Sequence, residues 1–118
     1  ALKHVKTKTI CGDIAELPFE TASFDLVTCL EVLEHLPHGV FKKALSEIER
    51  VSKKYIIISV PNGENMDYNL VICPACRCWY NPNRHVRTFD SLKLNRLFEY
   101  FMLSDLKEMG SFSATFQI

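Results

Sequence analysis

Two short, almost uninterrupted apolar runs constrain this chain most: Phe24–Leu30, reading FDLVTCL, and residues 55–60, reading YIIISV. Strands apolar on both sides are those of parallel sheets covered on both faces. Between the runs, Val40, Phe41, Ala44, Leu45, Ile48 and Val51 recur at helical spacing, while Lys42, Lys43, Glu47 and Arg50 face away. Lys53 and Lys54 follow at the helix end, where cations suit its dipole. Strand, helix and strand in that order predict a βαβ unit.

The rest of the chain extends this unit. Residues 5–11 are rich in β-branched side chains and stop at Gly12-Asp13, which predicts a strand ending in a turn. Residues 16–23 read as a loop. Pro61-Asn62-Gly63 stops the run at 55–60. Residues 62–88 then form a long polar loop or lid holding three cysteines. Leu92, Leu94, Leu97, Phe98 and Phe101 predict an amphipathic helix over 91–101, with Asp90 or Ser91 as N-cap. Residues 102–109 read as a strand. After Gly110, Phe112, Ala114, Phe116 and Ile118 alternate with Ser113, Thr115 and Gln117, the period of a further strand. The whole predicts one α/β domain across 1–118, a doubly wound sheet closed by a C-terminal antiparallel hairpin. Ligands of such sheets bind beyond the carboxyl ends of the strands. Gly12-Asp13, residues 31–35 and Pro61-Asn62 all fall there.

Charge narrows the partners. Formal net charge is +0 and the pI about 7.1. A neutral chain lacks the basic face that nucleic acid binding uses, so a small-molecule or protein partner is favoured. Arg77, Arg84, His85 and Arg87 form one local basic cluster. No apolar run is long enough for a membrane span, and the first residues, ALKHVKTKT, lack a signal-peptide core. A cytoplasmic chain without membrane contact is expected. Five cysteines, an odd number, argue against a disulfide framework.

Gly12-Asp13-Ile14, Leu17-Pro18-Phe19, Ser23-Phe24-Asp25-Leu26-Val27 and Glu31-Val32-Leu33-Glu34-His35-Leu36 together resemble successive motifs of class I S-adenosylmethionine-dependent methyltransferases of type 11. The resemblance implies a Rossmann-like methyltransferase sheet and S-adenosylmethionine as cofactor. It implies that Asp13 accepts a hydrogen bond from the adenine amino group and that Ile14 lies near the adenine ring. Cys29, Leu30 and Glu31 would line the floor beside the methionine part. The family's glycine-rich turn, and the acidic residue ending its second strand, would both precede Val5. No GxGxG occurs in the sequence. The resemblance is therefore to the C-terminal part of such a domain, an incomplete sheet without the first two strands. The function implied is methyl transfer to an oxygen or nitrogen of an unidentified acceptor, small or macromolecular. The alternative is a non-catalytic remnant acting as a zinc-binding or partner-binding module.

Two groups of residues suit metals. Glu31, Glu34 and His35 would share one face if a helical turn began at Glu31, and His85 would add a ligand from the long loop. Carboxylates with imidazoles suit Mg²⁺ or Mn²⁺. This pattern resembles the small-RNA 3′-terminal 2′-O-methyltransferases, and its first part the O-methyltransferases of ubiquinone biosynthesis. Without metal, His35 is the candidate catalytic base, with Glu34 beside it. The other group is Cys73-Pro74-Ala75-Cys76-Arg77-Cys78, where Cys73, Cys76, Cys78 and His85 would complete a Zn²⁺ site. His85 cannot serve both, so the two sites compete. A dithiol redox role for Cys73 and Cys76 would need a helix N-terminus rather than a Pro-rich loop. Cys11 and Cys29 lie in expected strands and read as core. Trp79-Tyr80 reads either as a cap on the cleft or as a self-packed surface loop.

Overall fold

The computed structural model describes residues 7–68, 70–108 and 112–117, the last six by their backbone. The βαβ unit consists of β1 (Phe24–Leu30), α1 (His38–Val51) and β2 (Ser52–Val60). β1 and β2 run parallel, with Val27 opposite Ile56 and Cys29 opposite Ile58. The long loop contains a small antiparallel hairpin of β3 (Val71–Ile72) and β4 (Trp79–Tyr80), and α2 (Ser91–Asn95) follows it. β5 (Met102–Glu108) and β6 (Phe112–Gln117) form the antiparallel hairpin expected from the sequence, and β6 joins β2. The sheet order is β1-β2-β6-β5. This is the α/β, Rossmann-like arrangement expected from the sequence.

α1 enters on Pro37, whose carbonyl accepts from the amides of Val40 and Phe41 at 3.0 and 2.9 Å. It ends at Ser52, whose N–H still donates to the helix while its own backbone is extended. Lys53 and Lys54 therefore lie on β2, not in the last turn of the helix, because no loop separates the two elements. Ala44, Ile48 and Val51 of α1 are buried. On β2, Ile56, Ile58 and Val60 alternate into the core, which Cys29, Leu33, Phe89, Leu94, Phe98 and Phe101 complete. Each such aliphatic side chain contributes about 1.5–3 kcal/mol by leaving water.

Four expectations change. Residues 7–11, the described part of the strand expected over 5–11, are exposed and form no ladder. No described strand lies beside them, and a strand without a partner leaves its backbone to water. β1 is not covered on both faces: Phe24, Leu26 and Leu30 are 38%, 48% and 54% exposed, and only Cys29 is buried. Among the described residues β1 pairs on one side only. The helix expected over 91–101 stops at Asn95. The Tyr100 amide, which a continuing helix would use internally, donates instead to Glu49 Oε1 of α1 at 2.8 Å. Finally, residues 62–88 are not all loop, since β3 and β4 lie within them. The turn expected at Gly110 and the side-chain alternation over 112–118 lie outside the described residues. Among the described residues no helix is long and apolar enough to cross a membrane.

Candidate functional site

Three segments meet beyond the carboxyl ends of β1 and β2. The first is the turn after β1. Glu31 takes a positive φ of 54°, and Leu33–His35 then form a single 3₁₀ turn. A left-handed backbone on a non-glycine residue costs about 1–3 kcal/mol and is held by its surroundings. Here the Glu31 amide donates to Ser59 O at 2.9 Å, and the Ser59 hydroxyl donates to Glu31 Oε1 at 2.7 Å. The helical turn thus begins at Leu33 rather than Glu31, and the Glu31 carboxylate is directed to β2.

The second and third segments are the two ends of the 62–89 loop. They are tied together by a bridge between Asn62 and Phe89 and by the Gly63 amide donating to Phe89 O at 2.9 Å. Gly63 has φ 55°, a turn that glycine makes without strain. Arg84 has φ 58°, and the Val86 amide donates to Glu34 O at 2.8 Å. The His35 and His85 rings consequently pack edge to face, 4.7 Å apart. Glu34, His35 and His85 each offer a donor atom within 4.8 Å of the others.

The electrostatics of this group are uneven. Glu34 is 1% exposed, and neither of its carboxylate oxygens has a hydrogen-bond partner from another described residue. Burial, with the charge of Glu31 adding to it, pushes the Glu34 carboxyl above its ordinary range. An orphaned buried carboxylate beside two imidazoles suits a divalent cation of the hard or borderline class. His35 Nε2 lies 3.8 Å from Glu34 Oε1, and its Nδ1 donates to Arg84 O at 3.4 Å. His85 Nδ1 contacts Glu64 Oε2, which leaves Nε2 as the ring nitrogen open to a further partner. This is the orienting carboxylate commonly found behind a ligand histidine.

The expected cofactor residues divide. Ile14, Cys29 and Leu30 line one apolar cavity of about 360 Å³ beside β1, with Leu17, Val32 and Ile48. Burial pushes the Cys29 thiol up to about 11, so it is a neutral wall of that cavity. Asp13 sits just outside, and its Oδ1 accepts from the Ala15 amide at 2.8 Å. Glu31 stands in the chain between Leu30 and Val32, which line the cavity. A larger cleft of about 900 Å³ lies between α1 and residues 86–97 and shares Arg87 with the His85 loop. Cys73, Cys76 and Cys78 lie apart, around the β3–β4 hairpin. Among the described residues, the close group of donor atoms that includes His85 is the one with Glu34 and His35, not one with the cysteines.

A family model described as a methyltransferase domain matches residues 1–58. Over that first half the chain is similar to class I S-adenosylmethionine-dependent methyltransferases. An uncharacterized protein of Methanocaldococcus jannaschii is 41% identical over 64 residues, which is 52% of this chain and 27% of that relative. Among solved structures, a Pyrococcus horikoshii protein superposes with a TM-score of 0.68 at 17% identity, over 95% of this chain and 59% of its own. The 1,6-didemethyltoxoflavin-N1-methyltransferase of Burkholderia thailandensis, with 1,6-didemethyltoxoflavin and S-adenosylhomocysteine bound, gives 0.65 at 18%, over 88% and 47%. The magnesium protoporphyrin IX methyltransferase of Synechocystis, with S-adenosylhomocysteine bound, gives 0.53 at 16%, over 89% and 47%. At these identities the structures bear on fold. The chain spans about a quarter of that curated relative and about half of the solved structures.

Four side chains that support this site had no role in it from sequence: Glu64, Arg87, Glu47 and Arg50. Glu64 lies 21 residues from His85. Its signal was a carboxylate directly after the turn that ends β2. Arg87 Nη2 donates to Leu36 O, and its guanidinium stacks 3.7 Å above the Phe41 ring, fixing the His85 loop to the turn after His35. Glu47 and Arg50, expected to face solvent, hold residues 17–19 beside the apolar cavity.

Proposed function

We propose that this chain contributes the adenine and methionine side of an S-adenosylmethionine site. The reaction is methyl transfer to an oxygen or nitrogen of an acceptor. The observation that carries it is the gathering of Ile14, Cys29 and Leu30 around one apolar cavity, with Asp13 and Glu31 next to Ile14 and Leu30 in the chain. An apolar cleft edged by a few polar groups suits a purine and the carboxylates that read its donors. The methyl-domain match over 1–58, which includes all five of these residues, supports the same reading. Residues 62–88 serve in it as a lid whose ends close on the site.

S-adenosylmethionine, when bound, would supply the methyl group to an acceptor lone pair by in-line displacement at its sulfonium sulfur. The residues here align the acceptor and handle its proton. His35 is the base, since its Nδ1–H is directed to Arg84 O and Nε2 is the acceptor nitrogen. Glu34 beside it stabilises the imidazolium that results. The alternative to that base is a divalent cation held by Glu34, His35 and His85, with Glu31 nearby, on the ground that both Glu34 oxygens are buried and unpartnered among the described residues. Mg²⁺ or Mn²⁺ held there would act as a Lewis acid on an acceptor hydroxyl. Glu64 would orient His85.

The test is isothermal titration of S-adenosylhomocysteine into the 118-residue chain, with and without Mn²⁺. Micromolar binding, weakened in Asp13→Ala and Glu31→Ala, is the expected outcome. A folded sample that takes up no S-adenosylhomocysteine overturns the assignment of a cofactor site to this chain.

A further inference from the structure

The larger cleft, between α1 and residues 86–97, has no part in the methyl-transfer reading, and it shares no lining residue with the apolar cavity beside β1. Its volume of about 900 Å³ is that of a site for a small organic molecule. Phe41 and Leu45 line it from α1, and Phe89 and Leu97 from the other side. The Phe41 and Phe89 rings lie 6.2 Å apart and tilted by 46°. The charged lining has one sign. His38, Lys42, Arg87, Lys93 and Arg96 contribute to it and no Asp or Glu does, although the chain as a whole has a formal net charge of +0.

Arg87 decides what fits there. Its Nη2 donates to Leu36 O, and the guanidinium carbon lies 3.7 Å from the centroid of the Phe41 ring. Its Nε is buried without an acceptor, and no carboxylate among the described residues pairs with the group. A half-buried guanidinium without a counter-ion has lost water that its contacts only partly replace. Lys93, by contrast, is committed: its Nζ lies 3.4 Å from Asp90 Oδ2 and donates to Thr88 O at 3.1 Å and to Thr88 Oγ1 at 3.2 Å. Lys42 and Arg96 are exposed and have no ion-pair partner among the described residues.

We propose that this cleft binds a small organic monoanion, a carboxylate on an aromatic body, with the carboxylate on Arg87. The planar guanidinium matches two carboxylate oxygens, and its stacking on Phe41 holds that plane in place beforehand. Phe89, Leu45 and Leu97 supply the apolar surface for the body. One half-buried cation balances one negative charge. The second charge of a phosphate monoester would stay unpaired against an apolar wall, which disfavours it. Lys42 and Arg96 add a positive field that draws the anion in. The site is separate from the cofactor cavity, so it stands or falls apart from the methyl-transfer reading.

The test is isothermal titration of 2-naphthoate into the 118-residue chain, beside its neutral counterpart 2-naphthylmethanol, with the folding of each variant checked by circular dichroism. One equivalent of 2-naphthoate should bind about tenfold more tightly than the alcohol, as a charge-assisted hydrogen bond provides. Arg87→Gln should remove that margin and leave the alcohol's affinity unchanged. Arg87 also holds Leu36, so Lys42→Glu/Arg96→Glu, at two exposed positions, gives a second readout. It should weaken 2-naphthoate several-fold, and more so at low salt. Lys43→Glu/Lys107→Glu, the same charge change at exposed positions outside the cleft, should not. A folded chain that takes up no 2-naphthoate, equal affinity for acid and alcohol, or an affinity that Arg87→Gln leaves unchanged overturns the site. Equal weakening by the two double variants places the binding outside the cleft and overturns it as well. Tighter binding of 2-naphthyl phosphate than of 2-naphthoate overturns the choice of a carboxylate.

Discussion

Glu47 and Arg50 stand one turn apart on α1 and act as a single clamp. Glu47 Oε1 accepts from Arg50 Nε and Oε2 from Arg50 Nη2, both at 2.7 Å. The remaining capacity of the pair goes to the loop before β1. Oε2 accepts from the Leu17 amide at 2.7 Å, and Arg50 donates to Phe19 O at 2.7 Å and Leu17 O at 3.1 Å. The Arg50 hydrogen bonds hold the Glu47 carboxyl below its ordinary value of 4.5. A carboxyl depressed in the folded state contributes stability that is complete above its unfolded pKa. That stability is lost as pH falls through the folded pKa. Glu47→Gln should therefore melt lower than the parent near neutrality and show a shallower fall of Tm as pH drops below about 4.5. Thermal unfolding followed by circular dichroism across that range checks it, and parallel curves would refute the clamp. None of this was readable beforehand, because spacing on a helix says which side a residue occupies and not what loop returns to meet it. The same limit hid Glu64 behind His85. The pairing of Glu34 with His35 was legible because both lie in one short turn.

Elements differ in how far the pattern alone determines them. β2 has Ile56, Ile58 and Val60 fully buried on one side, so its apolar run and its burial agree. β1 has a similar run but keeps Leu26 and Leu30 exposed. A run of apolar residues specifies a strand, whereas its covering depends on partners that sequence does not show. The contrast makes a paired prediction. Ile58→Ala should cost about 2–5 kcal/mol, the transfer and cavity terms for a buried aliphatic side chain. Leu26→Ala should stay within about 0.5 kcal/mol, as exposed sites do. Urea unfolding of both variants measures the difference, and equal losses would mean β1 is covered in solution. α2 makes a similar point. Its N-cap was legible, and Asp90 Oδ1 indeed accepts from the Lys93 amide at 2.8 Å. Its length was not, since Glu49 captures the Tyr100 amide from another helix. Phe98 and Phe101 reach the core all the same.

At the scale of the whole chain, sheet order decides what the surface exposes. The order β1-β2-β6-β5 leaves β1 and β5 as the two edges among the described residues. They are unlike each other. β5 carries Asp105, Lys107 and Glu108, the charges that discourage strand addition. β1 presents Phe24, Leu26 and Leu30 beside an apolar cavity, with Asp25 and Lys54 paired at its start. The radius of gyration is 15.9 Å. A compact chain of this length would have about 13.5 Å. An open apolar edge on an extended molecule is a template for a further strand, so the 118-residue chain should associate as its concentration rises. Leu26→Lys puts a charge in the middle of that edge, at an exposed position where it strains nothing, and should hold the chain monomeric over the same range. Light scattering coupled to size exclusion reads both masses. If Leu26→Lys associates as the parent does, β1 is not the adhesive edge. Loss of association in a matched Met102→Lys variant instead would assign it to β5, where the exposed Met102 begins the strand.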